Sequence, residues 1–291
     1  MKKKFKLSTF FTHFALLVLV FINLFPLYWM VTFSLKSNDE ILGYSYKNEA
    51  GERIVVQPNH VGLPYTYKWS NYTEAMNTGN MGQYFINSIA VSTSVIAITV
   101  IASFMATYAL TRLAWKGRKA MNKFFMLGLT IPIHAAIVPV FTILSKMKLL
   151  NTYAALIVPY SAFSLSMGIL ISIGFMGDIP YDLDEAAFLD GCGVWKIFFR
   201  VILPLMMPAI STVGIYTFLQ CWNELLFATI FVSSGKYRTL PVGVQQLFGQ
   251  YTTDWGPIGA ALTIATLPTM IVYALLSKRI QAGFIAGAVK G

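Results

Sequence analysis

Five of the 12 acidic residues in this sequence fall in one short run, Asp178-Ile179-Pro180-Tyr181-Asp182-Leu183-Asp184-Glu185-Ala186-Ala187-Phe188-Leu189-Asp190-Gly191. The run spells a short recognition helix. Pro180 suits the first helical position, and Asp182, Asp184 and Glu185 lie in or near the first turn, where carboxylates offset the positive end of the helix dipole. Gly191 supplies the stop, because glycine takes the left-handed conformation without a Cβ penalty. Leu183, Ala186, Ala187 and Asp190 recur at i, i+3, i+4 and i+7 and make a narrow face, small in the middle, of the kind that sits deep in another protein's groove. A second amphipathic segment, Val194–Val201, ends before Leu203-Pro204, so the whole reads as a rigid helix-turn-helix.

The other residues able to do chemistry are few. Glu224, in Trp222-Asn223-Glu224, is the one acid inside an apolar stretch, where charge is costly and a functional role is the default expectation. A structural or cavity-lining role, hydrogen-bonded near Asn223, is favoured over substrate or proton coupling, and Trp222, Asn223 and Glu224 are the substrate-cavity candidates. His134, two residues after Pro132, reads as a packing histidine, since no second His or Cys lies nearby at metal spacing. Cys192 and Cys221 read as packing residues rather than a disulfide. No catalytic residue or metal site is expected. No G-x-x-x-x-G-K-[ST] occurs; the nearest match, the glycine-rich end at Lys290-Gly291, lacks the spacing and the hydroxyl. Without that motif the chain is not expected to hydrolyse ATP itself.

These residues must be positioned in a membrane. The chain is 56% apolar and 12% charged, against about 25% charged for a soluble domain. Six stretches carry no Asp, Glu, Lys or Arg: Leu7–Leu35, Ala75–Thr111, Phe124–Ser145, Leu149–Gly177, Val201–Asn223 and Trp255–Ser277. A helix crosses the hydrocarbon in roughly 20 residues, so each stretch can span once. The expected spans are 13–35, 84–111, 124–145, 153–175, 206–232 and 258–277, with the main transmembrane domain at approximately 84–280. Lys and Arg set the orientation. The short loop 112–123 holds Arg112, Lys116, Arg118, Lys119 and Lys123, whereas 146–152 holds only Lys146 and Lys148. The segments 1–12, 112–123, 176–205 and 278–291 are therefore expected on the cytoplasmic side, and 36–83, 146–152 and 233–257 outside. The first apolar run is too long for a signal peptide and lacks a small-residue cleavage site, so it reads as a retained helix. The excess of 22 basic over 12 acidic residues is thus an orientation signal and not a nucleic-acid patch.

Outside, Lys36–Glu74 reads as a small folded cap whose Tyr44, Tyr46, Tyr65, Tyr67, Trp69 and Tyr72 suit interfacial anchoring or packing first, and a sugar or a docking protein second. Pro26, Pro132, Pro139, Pro159, Pro208 and Pro268 interrupt nearly every span, as neighbouring helices or a wet cavity permit. Ser161, Ser164, Ser166 and Gly168 allow close helix packing.

The spacing Glu185-Ala186-Ala187, Gly191, Leu203-Pro204 resembles the EAA loop of binding-protein-dependent ABC importer permeases, with Val201 where isoleucine is usual. The resemblance extends through Asn87-Ser88, Ala106-Thr107-Tyr108-Ala109-Leu110-Thr111-Arg112, Leu150-Asn151-Thr152, Trp222-Asn223 and Thr239-Leu240-Pro241-Val242-Gly243. The end, Gly283-Phe284-Ile285-Ala286-Gly287-Ala288-Val289-Lys290-Gly291, is similar to that of MalG-like permeases of carbohydrate importers. The resemblance implies an all-α fold of six transmembrane helices, of the MetI-like importer type, in the bacterial cytoplasmic membrane. It implies that Glu185, Ala186, Ala187, Asp190, Gly191, Leu203 and Pro204 couple to an ATPase, and that Gly287, Lys290 and Gly291 reach its dimer interface. The implied partners are a homologous MalF-like subunit, two copies of an ATPase that bind ATP and Mg, and an extracytoplasmic sugar-binding protein that delivers the sugar. An ABC permease for another solute is the nearest alternative. A secondary transporter would call for paired intramembrane charges or an internal repeat, and neither is evident.

Overall fold

The computed structural model describes residues 7–47, 49, 52–77, 79–248 and 253–288. The basic start at Lys2, Lys3, Lys4 and Lys6, and Lys290 and Gly291 of the tail, lie outside the described residues. In chain order the elements are α1 (Leu7–Ser34), α2 (Asn38–Leu42), β1 (Tyr44–Lys47), β2 (Arg53–Val56), α3 (Ser70–Asn77), α4 (Met81–Thr111), α5 (Arg118–Gly128), α6 (Ile137–Lys146), α7 (Ala154–Met176), α8 (Asp182–Leu189), α9 (Val194–Ile197), α10 (Leu203–Leu205), α11 (Met207–Trp222), α12 (Leu226–Phe231), α13 (Leu240–Gln246) and α14 (Trp255–Ala288). A 3-10 turn, Ile133–Ala136, precedes α6, and a π turn, Phe198–Ile202, joins α9 to α10. Among the described residues the fold is all-α apart from one small hairpin.

Four described helices are long and apolar enough to cross a membrane, within Phe11–Ser34, Met81–Thr111, Ala154–Met176 and Trp255–Leu275, and two sharply bent helix pairs bring the number to six where each pair counts as one span. Arg118–Gly128 and Ile133–Lys146 meet at 95°, and Val194–Leu205 and Met207–Trp222 at 76°. Prolines cause both bends. Pro132 precedes the 3-10 turn, and Pro204 and Pro208 flank Met206 at the second bend; each removes a backbone donor and its ring crowds the carbonyl four residues back.

The chain divides into two compact units. The first comprises residues 1–82 and 243–266. Here the expected cap is α2, the antiparallel β1–β2 hairpin with Tyr44 opposite Val56 and Lys47 opposite Arg53, and α3. Its centre is polar and tied together by hydrogen bonds. The fully buried Lys36 donates through Nζ to the Asn59 carbonyl at 2.6 Å, and Glu40 Oε1 accepts from Asn59 Nδ2 at 2.7 Å and from the Tyr65 amide at 2.8 Å. Burial lowers the Lys36 pKa below its ordinary value, with the Glu40 carboxylate opposing. Asn71 Nδ2 donates to the carbonyls of Ser34 and Lys36, both at 2.8 Å. Tyr44, Tyr46, Tyr65, Tyr67 and Trp69 are exposed, while Tyr72 bonds Ser34 at 2.8 Å.

The second unit comprises residues 83–242 and 267–291. In it α7 packs along α11, α5 and α12. One apolar cluster gathers Val91, Val95, Leu156, Tyr160, Phe227 and Phe231. Another, further along α4 and α7, gathers Phe104, Tyr108, Met176, Ala187, Phe198 and Ile202. Small residues let helices approach, as expected for α7: Ser161, Ser164 and Ser166 are buried, and a Cβ on Gly168 would stand 3.0 Å from Ser103 Cβ.

Candidate functional site

The acidic run forms α8, and the chain folds this way for the reasons its residues carry. Asp182, Asp184 and Glu185 occupy the first turn. At the far end the Cys192 amide donates to the Ala187 carbonyl and the Gly191 amide to the Phe188 carbonyl, both at 3.0 Å. That pair of bonds is a Schellman stop, and it needs Gly191 in the left-handed region, where its φ is +77°. From the stop the chain runs as α9, the π turn and α10 to the bend at Met206. Leu203 packs against the second cluster, and the exposed Pro204 sits in α10, one of the two prolines that turn the surface segment into the span.

Of the face expected from spacing, Leu183, Ala186 and Asp190 are exposed, and Ala187 alone turns inward. Ala187, 9% exposed, points into the chain's own cluster with Ile197 and Phe198, so its small size serves packing inside the loop. The face presented outward carries Glu185 and Leu189, four apart on the helix, with Ala186, Phe188 and Asp190 also exposed. Leu189 is 87% exposed and Phe188 69%, and Trp195 and Phe199 stack nearby, both exposed. An acidic residue amid a projecting apolar surface is suited to a protein partner.

What holds α8 in place was not visible in the sequence. Arg112, at the end of α4 and 2% exposed, pairs with Asp184 at 3.2 Å. Its Nη2 donates to the Met176 carbonyl at 3.1 Å and to the Ile179 carbonyl, and its guanidinium lies 4.0 Å over the Tyr181 ring. Tyr108, one turn back along α4, donates to the other Asp184 oxygen at 3.3 Å, and Tyr181 donates to the Thr111 carbonyl at 3.2 Å. The only sequence signal was a Tyr and an Arg four apart, ending a long uncharged helix.

The three cavity candidates separate. Trp222 is buried, edge-on to Phe85 and stacked on Phe218. Asn223 is exposed, its Nδ2 bonded to the Leu219 carbonyl at 2.9 Å. Glu224 alone lines a cavity of about 180 Å³, with Tyr160, Phe163, Ser164, Tyr216 and Gln220. Its carboxylate is engaged: Oε1 accepts from the Phe227 amide at 2.9 Å, and Oε2 from the Ala228 amide at 3.2 Å and from the Tyr160 hydroxyl. Glu224 therefore caps α12 where span 5 breaks, an arrangement that satisfies exposed helix donors. His134 Nε2 lies 3.8 Å from Glu224 Oε1, a neighbour spacing did not reveal. Gln220 donates to the Tyr216 hydroxyl at 2.7 Å, which adds two polar groups to the cavity wall. Among the described residues no group of His, Cys, Asp and Glu is placed to hold a metal. Gly287 lies within the last turns of α14, which continues without a break from the span into the tail.

Comparison with known proteins adds to this geometry. The family described as "binding-protein-dependent transport system inner membrane component" matches residues 98–285, a range that includes α8 and the cavity. The chain is 34% identical to the sulfoquinovosyl glycerol transport system permease protein SmoH of Agrobacterium fabrum, over 94% of this chain and 91% of the relative. It is 32% identical to the trehalose/maltose transport system permease protein MalG of Thermococcus litoralis, over 94% of each. Its fold superposes with a TM-score of 0.79, at 17% identity, on a chain of a bacterial ABC transporter involved in the import of the acidic polysaccharide alginate, covering 94% of this chain and 98% of that one.

Proposed function

The chain belongs to the family of binding-protein-dependent transport system inner membrane components, and from that premise we propose that it is the permease subunit of an ABC importer that moves a sugar, an oligosaccharide before a monosaccharide. It is a multi-pass membrane protein and a transport subunit. Two relatives whose names specify glycosides of different kinds support the substrate class without selecting one sugar. Both termini and α8 lie on the cytoplasmic side, in keeping with the basic loop 112–123. The partners are a MalF-like second permease subunit, two copies of an ATPase that bind ATP with Mg, and an extracytoplasmic binding protein.

The observation that carries this reading is α8 itself, a short helix on a fixed glycine stop with Glu185, Phe188 and Leu189 turned outward. In the proposed cycle, closure of the ATPase dimer draws α8 and its counterpart on the second subunit together, and the cavity turns from inward-facing to outward-facing. The binding protein then releases its sugar. Glu185 anchors the docked ATPase, Asp190, Gly191, Leu203 and Pro204 fix the angle of the loop, and Gly287, Lys290 and Gly291 extend toward the ATPase interface. Of the three cavity candidates Glu224 lines the cavity, and Trp222 and Asn223 do not. The test is recovery of the ATPase with the affinity-purified permease. Glu185→Arg and Leu189→Ser, both on the exposed face, are expected to cut recovery and uptake at wild-type membrane levels; unchanged recovery and uptake would sink the assignment of α8.

A further inference from the structure

We propose that Arg112 is a positioning residue for transport: it joins α8 to α4 so that movement of the coupling helix is delivered to the opposite end of that span. The proposal rests on the reading of α8 as the ATPase contact. A basic residue at a helix end would ordinarily orient the protein or bond the last carbonyls of its own helix. Arg112 does neither in the usual way. At 2% exposure it does not snorkel to water, and its Nη2 donates away from α4, to the Met176 carbonyl of α7 and the Ile179 carbonyl beyond it. The same guanidinium pairs with Asp184 in the first turn of α8 and lies on the Tyr181 ring. Tyr108 and Tyr181 add a bond in each direction between α4 and the loop. A planar fork that reaches three segments at once is a task for arginine, which lysine's point charge cannot reproduce.

α4 is suited to carry what the joint receives. Among the described spans it alone contains no proline: Pro26, Pro159 and Pro268 lie inside α1, α7 and α14, and Pro132 and Pro208 lie at or beside the bends of the other two. At its far end, about 37 Å from Arg112 at 1.5 Å per residue, Asn87 Nδ2 donates to the carbonyls of Lys236 at 3.0 Å and Arg238 at 2.8 Å. One residue on, Ser88 Oγ accepts from the Leu240 amide at 2.8 Å. A stiff rod tied at one end to α8 and at the other to 236–240 couples the two faces of this unit.

The experiment uses the full complex in proteoliposomes, with Lys236→Cys as reporter in a Cys192→Ala, Cys221→Ala background and an impermeant thiol reagent. With Arg112 present, trapping the ATPase with ATP and vanadate is expected to change the rate at which the reporter thiol is modified severalfold. With Arg112→Gln, and more mildly with Asp184→Asn, the ATPase is expected to co-purify normally while that change disappears and uptake falls about tenfold; Arg112→Lys should recover only part of it. A wild-type reporter response in the Arg112→Gln complex would overturn the proposal. So would failure of both variants to assemble, since Arg112 would then serve the fold alone. Loss of any nucleotide response in the unsubstituted complex is a distinct result, and it would take down the reading of α8 together with this proposal.

Discussion

At the scale of single residues, the proposed function rests on a few side chains and one backbone angle. Gly191 faces open space, with no atom within 4 Å of a Cβ built on it. Its requirement is therefore its φ of +77° and not close packing, which separates two substitutions. Gly191→Val should strain the turn by about 1–2 kcal/mol, re-aim α9 and abolish uptake while membrane insertion persists. Gly191→Asn, which tolerates the left-handed region, should retain most uptake. Equal loss in both, measured as transport at matched expression, would show that side-chain bulk and not backbone angle is at issue. The stop at Gly191 was legible because glycine after an amphipathic run has one dominant physical use. Arg112 was not, because its partner Asp184 lies far along the sequence and each residue already had a sufficient local reason to be charged: orientation for one, the helix dipole for the other. Glu224 was half legible. Its cost inside an apolar stretch marked it, but the cap on α12 depends on a break in span 5 that uncharged composition alone does not reveal.

At the scale of elements, the uncharged stretches coincide with long apolar helices or bent helix pairs, whereas the bends follow from prolines whose consequence depends on neighbours. Pro159 sits within an unbroken α7; Pro132 and Pro208 accompany turns of 95° and 76°. On α8, Leu183, Ala186 and Asp190 of the expected face are exposed, whereas Ala187 is turned inward by the cluster of Ile197 and Phe198, which spacing alone does not reveal. Packing of α7 gives a sharp prediction from two glycines on the same helix. A Cβ at Gly168 meets Ser103 Cβ at 3.0 Å and Thr99 Cγ2 at 3.3 Å, while Gly174 has nothing within 4 Å. Gly168→Val should cost about 1–3 kcal/mol by overpacking and lower the Tm of the purified protein, and Gly174→Ala should leave it unchanged. A Tm unaffected by Gly168→Val would mean that α7 and α4 do not approach as closely as described.

At the scale of the whole molecule, the chain is a membrane subunit without a nucleotide-binding motif, whose projecting helix offers a way for energy to enter. The family places it in a binding-protein-dependent transport system, and composition and charge had already removed soluble enzymes and nucleic-acid binders from consideration. Identity of the sugar was not legible, because hydroxyl, amide and carboxylate groups such as those of Tyr160, Tyr216, Gln220 and Glu224, which line the cavity, suit many polar ligands. The most direct measurement is uptake of a panel of labelled mono- and oligosaccharides into proteoliposomes that contain this chain, its second permease subunit and the ATPase, with the binding protein supplied on the opposite side from ATP. The expected result is uptake of at least one sugar that requires ATP, the binding protein and an intact Glu185 face together; sugar uptake that proceeds without the ATPase, driven by an ion gradient alone, would contradict it.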